Sequence, residues 1–118
     1  MRDEVTVWYD GSRLVAHLSC EIDHHTAKRI REKIDKELYL VRPPELVLDF
    51  SGVGFMDSSG VGLILGRVES TSALGARLVI TGLSPLLMKL VRLSGIERVR
   101  GLRIEERCEA RKEGKILK

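Results

Sequence analysis

The residues best suited to chemistry lie together in Phe55-Met56-Asp57-Ser58-Ser59-Gly60-Val61-Gly62, where two hydroxyls follow a carboxylate and precede a glycine pair. An apolar strand, Leu46 to Phe50, leads into this stretch, and an apolar helix from about Ser59 to Thr71 leads out of it. A helix starting here leaves the backbone N–H groups of Ser59, Gly60 and Val61 without intrahelical acceptors, and such an end is a seat for an anion. Ser58 stands at its rim. Modification of the Ser58 hydroxyl by a phosphoryl group is therefore the sharpest chemistry these residues suggest. The plainer reading is also open: Asp57 or Ser58 simply caps the helix.

Other chemistries fit the spacing less well. Gly52-Val53-Gly54 and Gly60-Val61-Gly62 each supply G-x-G, but Leu65 stands where a dinucleotide fingerprint needs its third glycine, and no lysine follows to complete a Walker A loop. Close packing of helix on strand is the simpler use of Gly60 and Gly62. As an acyl-transfer nucleophile Ser58 has only half of G-x-S-x-G, because Met56 replaces the leading glycine. His17, His24 and His25 are the only histidines. Adjacent helical residues point about 100° apart, and Lys28 and Arg29 occupy the positions four residues beyond His24 and His25, so no metal site is expected.

The elements that must position Ser58 follow from pattern. Val5 to Tyr9 and Leu14 to Leu18 are β-rich runs joined by Asp10-Gly11-Ser12, a hairpin signal. Asp23 precedes a helix whose Ala27, Ile30, Ile34, Leu38 and Val41 recur on one face, and Asp23 is its expected N-cap. Pro43-Pro44 ends that helix and feeds the strand Glu45 to Phe50, a run apolar enough to be buried on both faces. In the helix after Ser58, the buried face is expected to draw on Val61, Ile64, Leu65 and Val68. Gly75 ends it. Arg77 to Thr81 is a further strand, Ser84-Pro85 opens a short helix through Leu86, Leu87, Leu90 and Val91, and Ser94-Gly95 closes that one. A strand near 99–104 and a polar helix near 105–113 finish the chain. The sum is an α/β domain: a mixed sheet of four to five strands with an N-terminal hairpin and about four helices.

Composition sets the outer limits. The 118 residues fit one domain, which buries about two thirds of its unfolded surface. The net charge of +3 comes from the tail after Val99, where seven basic residues meet four acidic ones, whereas 13 of each balance in residues 1–99. Interleaved charge without aromatics there reads as a solvated terminal helix, not a nucleic-acid arm. Cys20 and Cys108 lack metal or redox spacing, the start is charged, and no apolar run spans a bilayer, so a cytoplasmic protein without membrane contact is expected.

Glu21-Ile22-Asp23-His24-His25-Thr26-Ala27, the run from Phe55 to Arg67, Ser84-Pro85 and Leu93-Ser94-Gly95-Ile96 together resemble the anti-sigma factor antagonists of the STAS fold. The resemblance extends from the hairpin to about Ile104, and Asp57-Ser58-Ser59-Gly60 is its most specific part. Cys20 departs from it, since glycine is usual there. The resemblance implies a non-enzymatic switch controlling a sporulation sigma factor indirectly. An unphosphorylated antagonist binds an anti-sigma factor that is also a serine kinase, phosphorylation of Ser58 ends that binding, and a PP2C-type phosphatase restores it. By the same resemblance Asp23, His24, Asp57, Ser59, Gly60, Val61, Gly62, Arg67 and Leu90 contact the partner. The chain needs no cofactor of its own, since ATP and Mg²⁺ belong to the kinase. The alternative is a small nucleotide-binding or weakly nucleotide-hydrolysing STAS domain.

Overall fold

Asp10 makes the opening turn. In the computed structural model, which describes residues 4–105, its Oδ1 accepts from the Ser12 and Arg13 N–H groups at 2.9 and 2.7 Å. Gly11 supplies the positive φ of 97° that the turn requires. The hairpin joins β1 (Val5–Tyr9) to β2 (Arg13–Leu18). The chain continues through α1 (His24–Val41), β3 (Glu45–Asp49), α2 (Ser58–Ala73), β4 (Arg77–Thr81), α3 (Pro85–Ser94), a short 3₁₀ turn (Ile96–Arg98) and β5 (Leu102–Ile104). The five strands lie in sequence order, with β1 antiparallel to β2 and every later pair parallel. Parallel strands need crossovers, and α1, α2 and α3 supply them.

Side-chain alternation divides the sheet into two faces. Leu14, Ala16, Leu18, Leu46, Leu48, Phe50, Leu78 and Ile80 share the main core with Ile30, Ile34 and Leu38 of α1 and with Leu63, Ile64 and Val68 of α2. Val15, Val47 and Val79 form a second, smaller cluster. The expected stripe on α1 is the one buried. On α2 the buried set differs from the expectation: Leu63, Arg67 and Thr71 are buried beside Ile64 and Val68, Val61 is half-buried, and Leu65 is 38% exposed. On α3, Leu87 and Val91 are buried while Leu86 is 63% exposed. Apolar spacing gives the period of such helices but not which of several apolar flanks meets the sheet. The last strand is also shorter than expected, Leu102–Ile104, because residues 99–101 make a turn in which Gly101 takes φ 94° and Leu102 N–H donates to Val99 O at 3.3 Å. Three α-helices stand among the described residues, and the fourth, polar helix expected near 105–113 lies almost wholly outside them.

One glycine holds the edge from which the helices start. Gly82, just after β4, has φ 79°, and a Cβ there would sit 2.5 Å from Asp49 Oδ1 and 2.7 Å from the Ser51 nitrogen. Asp49 cannot move aside freely, since its Oδ1 accepts from Ser51 N–H at 2.9 Å and its Oδ2 lies 3.1 Å from His17 Nδ1. Burial pushes this carboxyl up, but the Ser51 backbone N–H and the His17 ring together hold it below the usual carboxylate range. Gly82→Ala is expected to cost roughly 2 to 3 kcal/mol in urea unfolding. Gly11→Ala, at a positive φ with no atom within 4 Å, should cost only about 1 kcal/mol. Equal losses would contradict the crowding at Gly82.

Candidate functional site

Two capped helix ends are fastened side by side. Ile22 and Met56 form an isolated parallel bridge, with Ile22 N–H donating to Phe55 O at 3.0 Å and Asp57 N–H donating to Ile22 O at 3.1 Å. The next residue in each segment is an N-cap, Asp23 for α1 and Asp57 for α2. Residues 34 positions apart in sequence are thereby set next to each other, and Ser58 follows directly at the first position of α2. Ile22 and Met56 are buried, while Asp23, Asp57 and Ser58 are exposed.

Each cap is complete. Asp23 Oδ1 accepts from His25 N–H at 2.9 Å and Thr26 N–H at 3.0 Å, and Asp23 N–H donates to Thr26 Oγ1 at 2.9 Å. The Thr26 and His25 backbone bonds hold the Asp23 carboxyl below its ordinary value. At α2, Asp57 Oδ1 accepts from Ser59 N–H at 2.7 Å and Asp57 O accepts from Gly60 N–H at 2.9 Å. The expected anion seat is thus taken in part by the cap itself. Asp57, not Ser58, is the capping residue, and the Ser58 side chain is left outside the helix's own hydrogen bonding.

The remaining sequence-derived residues fall into distinct places. Gly60 is buried, and a Cβ there would meet Met56 Sδ at 2.5 Å, so close packing explains it. Gly62 is different, being exposed with open space around it. Val61 and Ser59 are half-buried, and Leu90 is half-buried on α3 between the exposed Leu86 and Leu93. Arg67 corrects its expectation as a docking group: its side chain is 5% exposed, and Nε lies 3.0 Å from Asp35 Oδ1 of α1. The His24 and His25 rings, expected to diverge, stack with centroids 4.7 Å apart. No group of three or more metal-ligating side chains occurs among the described residues. Phe55, 49% exposed beside the bridge, is a surface apolar residue that periodicity gave no reason to single out.

The exposed Ser58 hydroxyl, the two paired helix ends and the exposed Phe55 ring lie together at the C-terminal edge of the parallel strands. The chain matches the family model of the STAS domain over residues 5–109, and it belongs to that family. The anti-sigma F factor antagonist of Lysinibacillus sphaericus is 36% identical over 83 residues, which is 70% of this chain and 71% of that protein. The solved structure of the anti-sigma factor antagonist SpoIIAA in its unphosphorylated form is similar with a TM-score of 0.76 at 27% identity, over 96% of each chain. SpoIIAA in its phosphorylated form, described as a Bacillus cell fate determinant, gives a TM-score of 0.69 at 27% identity, over 95% of this chain and 98% of that one. Among the described residues no helix is long and apolar enough to cross a membrane.

Proposed function

We propose that this chain is a phosphorylation-switched anti-sigma factor antagonist, with Ser58 as the phosphoacceptor. The observation that carries the reading is the Ile22–Met56 bridge, which sets exposed Ser58 beside the Asp23 and Asp57 caps at the head of two helices. A relative whose solved structures include unphosphorylated and phosphorylated forms, both with this fold, supports it. The unphosphorylated chain binds an anti-sigma factor with serine-kinase activity, freeing a sporulation sigma factor. The kinase, holding ATP and Mg²⁺, transfers a phosphoryl group to Ser58 Oγ, and a PP2C-type phosphatase reverses the transfer. Asp23, His24, Asp57, Ser59, Val61, Gly62 and Leu90 contact the partner, while the buried Gly60 lets α2 pack closely on Met56.

The nucleotide-binding alternative loses ground on one observation. The Ser59 and Gly60 N–H groups that a phosphate cradle requires already donate to Asp57. Intact-mass spectrometry of the chain after incubation with the cognate anti-sigma kinase and ATP, followed by peptide mapping, tests the reading. One added phosphate, on Ser58, is the expected result. A complex that forms without phosphate transfer would reduce the mechanism to competition, and absence of both binding and transfer would defeat the assignment.

A further inference from the structure

A groove separates α1 from α2, floored by small residues. Ser59, Gly62, Gly66 and Ser70 line it from α2, and a Cβ at Gly62 or Gly66 would meet nothing within 4 Å. From α1 it is flanked by His24, Lys28 and Arg31, and Arg67 lines it from within. Arg67 is the unusual member. Its Nε is close to Asp35 Oδ1 yet not aligned to donate, its Nη2 reaches Ser70 Oγ only at 3.5 Å, and its Nη1 is buried with no hydrogen-bond partner. Nε and Nη1 are closed off, so Nη2, held only by its long contact to Ser70 Oγ, is the guanidinium nitrogen left to donate into the groove, and an oxyanion is the acceptor that suits it best. Three cations, Lys28, Arg31 and Arg67, face two carboxylates, Asp35 and Glu69, around this groove, so an anion entering it meets net positive charge. Burial pushes the Arg67 guanidinium down and the Asp35 carboxyl up, in each case outweighing their mutual attraction. The pair is left short of compensation.

We propose that the α1–α2 groove is a binding site for a small oxyanion, a phosphate or phosphate monoester, with Arg67 as the buried donor and Lys28 and Arg31 as outer cations. The groove adjoins the Asp57 cap at Ser59 and shares His24, Ser59 and Gly62 with the proposed contact surface, but the proposal does not depend on Ser58 being a phosphoacceptor. Free phosphate and the phosphate group of a small metabolite share this chemistry. Gly62 and Gly66 are used here as absence of bulk: any side chain at either would occupy the space the anion needs.

Amide chemical shifts of Ser59, Gly62 and Gly66 in the full chain, titrated with inorganic phosphate or with glycerol 3-phosphate at constant ionic strength, test the proposal. Saturable shifts with either probe are expected, tighter phosphate binding marking the free ion as the better ligand and tighter glycerol 3-phosphate binding marking the monoester. Lys28→Gln with Arg31→Gln should weaken binding at least about fivefold, and Lys36→Gln, a cation change on α1 outside the groove, should leave it unchanged. Gly66→Leu should abolish it while circular dichroism stays native. Shifts linear in added salt and equal for phosphate and chloride would overturn the proposal, as would equal weakening by Lys36→Gln. Undiminished phosphate binding by folded Gly66→Leu would do the same.

Discussion

Ser58→Asp is expected to weaken binding to the cognate anti-sigma kinase about a hundredfold, or about 2.7 kcal/mol, while Ser58→Ala binds as tightly as the parent. The asymmetry follows from where Ser58 sits. Its exposed side chain caps nothing, because Asp57 supplies the cap, so neither substitution disturbs the fold. Both variants should unfold within about 0.5 kcal/mol of the parent, which circular dichroism against urea checks. A phosphate at this place carries about −1.5 to −2 charge near neutral pH. In the free chain the α2 N-terminus favours that charge and the adjacent Asp57 carboxylate opposes it, with water screening both. At the interface proposed above the dianion must be desolvated beside the two cap carboxylates. Binding is lost while the fold persists, in keeping with the similarity of both SpoIIAA forms to this chain. Isothermal titration of the three chains against the ADP-loaded kinase is the measurement. Equal affinities for the alanine and aspartate variants would remove Ser58 from the interface.

Period, caps and turn residues carried most of the fold in advance, because these are local. Asp10-Gly11, Asp23, Ser84-Pro85 and Gly95 each do in the structure what their residue types suit them for. The misses are all matters of which neighbour a residue meets. Leu65 is as apolar as Leu63, and only the sheet's position decides that it faces outward. At the site, the resemblance singled out Asp23 and Ser58 together, yet the bond that sets them side by side runs from Phe55 O and Asp57 N–H to Ile22. Backbone pairing of two lone residues leaves no mark on side-chain pattern. Arg67 shows the limit most plainly. A lone arginine reads as surface even within an apolar helix, and the carboxylate that draws it inward lies 32 positions earlier on another helix.

That buried arginine gives the second large effect. Asp35→Ala should destabilise the fold by about 3 to 5 kcal/mol, since it leaves a desolvated guanidinium without its counter-charge and with Arg31 nearby. Replacing both partners, Asp35→Leu with Arg67→Met, should recover most of the loss or exceed the parent, because burial already outweighs attraction within the pair. Urea unfolding of the parent, the single variant and the double variant separates the cases. A double variant no more stable than Asp35→Ala would mean that packing of the side-chain stems, not charge, dominates the site. The α1–α2 groove adds a further expectation. With Asp35 gone, Arg67 has more need of an acceptor, so inorganic phosphate should raise the unfolding midpoint of Asp35→Ala more than that of the parent, by mass action on the folded state. The double variant, which lacks the guanidinium, should not respond.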